Sequence, residues 1–317
     1  AVLLRPGLPA SDVRLAREAA ADWLVRSQGA GGGWNPRALG GRSEYAVGLQ
    51  GLALASLART SGARQHRESV LHAARSLAAG QAEDGRLAED NGSVLYNHTL
   101  AAVGLIEAYR ATGDESLAGA ARAALAFIAD RQHPSGGWAY RPGMQQVPNM
   151  SLTAWQMIAL LGGEQLGWED WRQTLYRGRR WISRMRGDNG LYGYQHAGLP
   201  PDGDDTPTVM GVYCTLAAGG RGGPPAAGSA ALSLSTASGS SYIDAFFKAA
   251  ALSLLPGRDA GKALQRLRSG LVRRQVREGR DAGSWPADDC WGPLGGRLYS
   301  TSLAALALDA SPAAAAL

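Results

Sequence analysis

The sequence has little of several things. Its 317 residues hold two cysteines, Cys214 and Cys290. That is too few for a disulfide scaffold, and they stand too far apart for a C-x-x-C metal site. Only Lys248 and Lys262 are lysines, so the formal charge of +5 and the pI near 9.4 come almost wholly from arginine. Those arginines are scattered among Ala and Gly rather than gathered into a stripe, which argues against a nucleic-acid partner. No apolar run approaches the roughly twenty residues that span a bilayer, and no integral membrane segment is expected. The opening Ala1-Val-Leu-Leu stops at Arg5 and Pro6, too short for a signal peptide. The chain starts without Met, which leaves room for a removed leader and keeps the compartment open. No P-loop, G-x-S-x-G or H-E-x-x-H occurs. Aromatic residues are 7%, with three Phe.

Hydrophobic residues, at 45%, are enough for a large core. They are organised by a repeat. Gln28, Gly32 and Trp34 read Q-x-x-x-G-x-W, and so do Gln132, Gly136 and Trp138. Gln81, Gly85 and Leu87 keep the spacing without the aromatic; Arg186, Gly190 and Tyr192 keep it without the Gln. Gln275 is separated from Gly283 and Trp285 by a few inserted residues. The marks fall 53, 51, 54 and then 89 residues apart. Trp23-Leu24, Phe127-Ile128 and Trp181-Ile182 precede their marks by about one helical turn.

Each repeat therefore reads as outer helix, Gly-rich turn and inner helix. Outer helices are expected near 11–27, 64–81, 115–132, 168–186 and 258–275, with a one-sided apolar stripe. Inner, more evenly apolar helices are expected over Glu44 to Leu57, Tyr96 to Tyr109, Met150 to Leu161, Thr206 to Ala217, Tyr242 to Leu255 and Leu298 to Leu308. The long last interval holds residues 218–240, rich in Gly, Pro, Ala and Ser. These read as a short or degenerate fifth outer position, or else as an interdomain linker. Because the repeat continues in phase beyond it, residues 1–317 are expected to form a single all-α (α/α)6 toroid.

The segment Arg177, Gly178, Trp181, Ile182, Arg186, Gly190 and Tyr192 resembles the QW repeat of squalene-hopene and oxidosqualene cyclases. So do Ala20, Trp23, Leu24, Gln28, Gly32 and Trp34, and the stretch from Gly283-Ser284-Trp285 through Trp291 to Leu303. The resemblance covers nearly the whole chain. It implies the ring of helical hairpins shared with protein prenyltransferases, with Gln and aromatic tying an outer helix to the next inner one.

Pro201-Asp202-Gly203-Asp204-Asp205-Thr206 resembles the D-x-D-D-T motif of class II terpene cyclases. Protonating an alkene needs a carboxylic acid kept protonated, and clustered carboxylates achieve that by raising one pKa. The resemblance implies Asp204 as proton donor, with Asp202 and Asp205 tuning it. The competing reading is a helix start, with Thr206 as N-cap and Pro207 in the first turn. Three features favour it: Pro207 stands where cyclases usually have Ala, the chain is about half a two-ring cyclase, and aromatics are few.

The N-terminal ends of the inner helices should surround one mouth, placing Tyr45, Tyr96, His98, Trp155, Tyr242 and Phe246 there as ligand contacts beside the acids. Asp288, Cys290 and His98 would suit zinc chemically, but Asp288 and Cys290 sit in a turn where prenyltransferases use a helix, so no metal and no cofactor are expected. The expected ligand is an apolar, isoprenoid-like small molecule cyclised by Asp204. The alternative is a non-catalytic repeat domain binding a protein or carbohydrate partner.

Overall fold

A computed structural model describes residues 10–60, 65–141, 144–201, 204–219 and 241–312. Among the described residues there are eleven α-helices and no strands, only isolated β-bridges. Five are outer helices: α1 (Ala10–Ser27), α3 (Arg67–Ala79), α5 (Ala118–Asp130), α7 (Arg172–Arg184) and α10 (Arg258–Arg274). Six are inner: α2 (Ala46–Arg59), α4 (Val94–Thr112), α6 (Met150–Gln165), α8 (Thr206–Ala217), α9 (Tyr242–Leu254) and α11 (Gly292–Asp309).

The inner helices form a closed circuit, α2 against α4, then α6, α8, α9 and α11, which returns to α2. Their sequences require it. In α6 every residue from Leu152 to Gly163 is buried, so the helix needs neighbours all round. The outer helix α3 instead buries only Val70, Ala73, Ala74 and Leu77, one stripe at helical spacing. α2 and α4 come closest, because a Cβ on Gly51 would stand 2.2 Å from the Leu100 carbonyl oxygen. The expected irregular segment, apart from Ala218 and Gly219, lies outside the described residues. α11 starts six residues earlier than the sequence suggests, through a break at Gly296, where φ is +60°.

The repeat mark is a clasp between neighbouring outer helices. The Gln132 amide donates to Gly136 O at 2.8 Å, closing its own turn, and to Thr174 O of α7 at 2.9 Å. Gln28 does the same to Gly32 O and Ser69 O, and Gln81 to Gly85 O and Ala120 O. Gln275 bonds Gly283 O and, at 2.7 Å, Ala16 O of α1, joining the last repeat to the first. The glycine is needed twice over. Gly136 has φ +100°, and a Cβ there would meet the Arg177 carbonyl oxygen of α7 at 2.4 Å.

The indoles point the other way. Trp34, Trp138 and Trp285 each donate Nε1–H at 2.8 Å to a carbonyl of their own outer helix, Leu24, Ile128 and Leu271. The expected tie from outer helix to next inner helix is thus corrected. Gln reaches the next outer helix, and the indole returns to its own. The inner helix is held by backbone instead: the N–H groups of Trp138, Tyr192 and Trp285 donate to Thr153, Thr208 and Thr301 hydroxyls.

Candidate active site

Because every turn feeds the N-terminus of an inner helix, one end of the circuit collects those N-termini. A cavity of about 540 Å3 opens there. Its deeper wall is aliphatic, with Leu49 and Leu52 one and two turns below Tyr45 on α2, and Leu100, Met210 and Leu303 on other inner helices. Seven aromatic side chains complete the wall: Tyr45, Tyr96, Tyr140, Trp155, Tyr194, Trp291 and Tyr299.

Their polar ends are tied to one another. Trp155 Nε1–H donates to the Tyr96 hydroxyl at 3.0 Å, which lies 3.5 Å from Ser151 Oγ. Burial pushes the Tyr96 phenol up to about 12, against the smaller lowering by Ser151. The Tyr140 and Tyr194 hydroxyls are 3.3 Å apart. Tyr299 donates to Asp289 Oδ2 at 2.9 Å, and burial followed by the Asp289 charge raises its pKa. Asp289 is itself saturated by N–H groups of Tyr242, Trp291 and Gly292 at 2.8 to 3.0 Å, so it serves as a fixed bracket beneath the wall.

Asp204 is the carboxylate at this cavity among the described residues. Its Oδ1 accepts the Thr206 N–H at 3.0 Å. That bond commits one oxygen to the backbone, so a proton on the group belongs to Oδ2. Thr206 is the first helical residue rather than the cap, and Asp205, at the cap position, makes no side-chain cap bond. Asp205 is exposed and does not line the cavity, and Asp202 lies outside the described residues. Asp204, rather than the Thr206 expected as N-cap, braces the start of α8, and it also lines the cavity.

The other candidates divide. Tyr45, Tyr96 and Trp155 line the cavity. Phe246 lies behind it, stacked on Trp155 with centroids 5.4 Å apart and planes 2° from parallel. Tyr242 is buried, donates to Pro286 O and meets Tyr299 edge-on, so it supports the wall from outside. His98 does not belong to the site. It is fully buried between α4 and α5, where Nδ1 accepts Leu87 N–H at 3.1 Å and Nε2 faces Ala124 O at 3.0 Å. It takes the place of the threonine that holds the mark in other repeats. Burial lowers its pKa to about 4, against the opposing Ala124 bond.

Tyr140, Tyr194, Trp291 and Tyr299 were not foreseen as contacts. The first two had a signal, since each stands two residues beyond the aromatic position of its repeat mark. Cys290 also lines the cavity, its thiol pushed up by burial and by Asp289. Among the described residues no three His, Cys, Asp or Glu side chains gather as metal ligands. No described helix is long and apolar enough to cross a membrane.

No protein-family model matches the sequence, and no curated protein does. Solved structures do match in fold. An unsaturated glucuronyl hydrolase specific for heparin gives a TM-score of 0.69 at 12% identity, covering 95% of this chain and 96% of its own. Cellobiose 2-epimerase from Spirochaeta thermophila gives 0.67 at 14%, covering 97% and 98%. The type II terpene cyclase MstE from Scytonema, in complex with geranylgeranyl dihydroxybenzoate, gives 0.61 at 16%, covering 97% and 99%. The chain is an α/α toroid. At these identities the likeness establishes the fold alone, one shared by carbohydrate enzymes and a terpene cyclase.

Proposed function

We propose that residues 1–317 form one squalene-cyclase-like ring that binds an isoprenoid or similar apolar ligand and cyclises it by protonation from Asp204. The observation that carries this reading is the one carboxylate of the described lining, at the wall of an aliphatic and aromatic cavity and with one oxygen committed to a backbone N–H. Protonating an alkene needs a carboxylic acid, and Asp204 is the one that the described lining offers. The proton on Oδ2 passes to an alkene carbon, and the π electrons of the next double bond close a ring onto the cation. A proton lost at the end restores the balance, so the net reaction is an isomerisation. Cationic centres would travel past the faces of Trp155, Tyr45 and Tyr96, where the ring quadrupole favours positive charge.

A carbohydrate-cleaving reading, which the glucuronyl hydrolase of the same fold raises, has less support. Glycoside hydrolysis uses two carboxylates across one site, and the described lining offers one. The type II terpene cyclase of this fold, with its geranylgeranyl substrate, lies on the proposed side. The test is incubation of the parent and Asp204→Asn with farnesyl, geranylgeranyl and squalene substrates. Cyclic product from the parent and none from the variant is the expected result; equal turnover removes Asp204 from the reaction.

A further inference from the structure

We infer that the ligand of this cavity is an isoprenoid of no more than about 20 carbons carrying a neutral oxygen headgroup, not a diphosphate; this rests on the isoprenoid reading above. Size gives the first limit. An apolar cavity of about 150 Å3 takes one benzene, roughly 25 Å3 per carbon. On that scale 540 Å3 holds about twenty carbons, while a thirty-carbon chain would need about 750 Å3.

The cavity cannot lengthen at its deep end. One turn below Leu52, Leu100 and Met210 stand Ala55, Val103 and Tyr213, all buried. Interiors of this density have no room for further carbons without repacking.

Charge gives the second limit. Among the described residues no Arg, Lys or His lines the cavity, and the carboxyl group of Asp204 offers a phosphate no positive partner. Of the residues not described, only Arg5, Arg64 and Arg221 are basic in sequence. A diphosphate seated at the mouth would meet no cation in the described lining to balance its charge. Neutral partners are present. The Tyr140 and Tyr194 hydroxyls, 3.3 Å apart, offer both a donor and an acceptor to an alcohol or phenol. Tyr140 is 41% exposed, which puts this pair at the mouth, where a headgroup would sit once the chain is inside.

The test titrates the full chain with farnesol, geranylgeraniol, geranylgeranyl diphosphate and squalene. Fluorescence of the cavity residues Trp155 and Trp291 reports binding, and chromatography follows product in parallel. Both alcohols should bind at least about tenfold more tightly than the diphosphate or squalene. Met210→Phe, which raises the floor, should weaken geranylgeraniol about tenfold and farnesol less than about threefold. Squalene or the diphosphate binding as well as the alcohols overturns the inference, as does a floor variant that weakens both alcohols alike. Should Met210→Phe fail to fold, the order of the four probes on the parent decides. The expected order without cyclic product, or with product unaffected by Asp204→Asn, sinks the cyclase reading and leaves the ligand class standing. Cyclisation of squalene or the diphosphate does the reverse, and no binding by any probe overturns both.

Discussion

The two ends of the inner-helix circuit are built on opposite principles. At the N-terminal end the wall is aromatic and hydroxylated, with one carboxylate among the described residues. At the C-terminal end charges meet charges. Arg59 of α2 bonds Asp309 of α11 at 2.7 Å and lies 3.7 Å from Glu107 of α4. Arg17 of α1 joins Asp309, and Arg110 joins Glu107 while donating to Gly162 O of α6. Glu107 and Arg59 are at most 9% exposed, so this network is largely dry. Arginines at helix C-termini also meet the favourable end of the helix dipole. Labour is divided between the ends: paired charge closes the far one, and the described lining of the cavity at the near one holds no cation.

The division can be broken in four places. The largest effect is expected at the mouth. Asp204→Asn should lower cyclisation about a thousandfold, the scale of a lost general acid, while the thermal midpoint moves little. A variant that unfolds instead would make the acid structural and erase the contrast. Glu107→Ala should do the opposite, costing about 3 to 5 kcal/mol because it removes the carboxylate shared by two arginines. Denaturant melts measure that, and cavity affinity should stay within about threefold of the parent.

The third test moves from the circuit to the seam between an inner and an outer helix. His98 is neutral in the fold with a pKa near 4, whereas an unfolded histidine titrates near 6.5. The unfolded chain therefore binds more protons in that window, and stability is complete above pH 6.5 and falls as pH drops toward 4. The loss approaches about 3 kcal/mol. His98→Asn keeps an acceptor for Leu87 N–H and should abolish this step in melts across the window. The smallest effect is expected from Gln132→Ala, which removes two clasp bonds at the mouth end and should cost about 1 to 3 kcal/mol. If turnover fell with it at saturating substrate, the clasps would have to be counted with the site.

Much of the scaffold could be read from sequence because its bonds are local in the repeat. Gln, Gly and Trp recur at fixed spacing since one amide and one indole reach fixed carbonyls. The site was less legible, because facing a cavity depends on angle as well as on height along a helix. His98 is only two residues from Tyr96, yet that is about 200° around the helix, toward the outer layer. Phe246 and Tyr242 stand at the right height but one shell back. The charged far end had no signal at all, since Arg59, Glu107 and Asp309 belong to three repeats and share no spacing.

The clasp from Gln275 to Ala16 differs from the rest in one respect, the length of chain it closes. The other clasps span 41, 39 and 42 residues, and this one spans 259. Loop-closure entropy makes the short loops cost roughly 3 kcal/mol and the long one roughly 5. Neighbouring repeats therefore assemble first, and the seam between α10 and α1 is joined last. The same seam gives way first when the ring breathes, so its amides should exchange with solvent ahead of those at every other clasp.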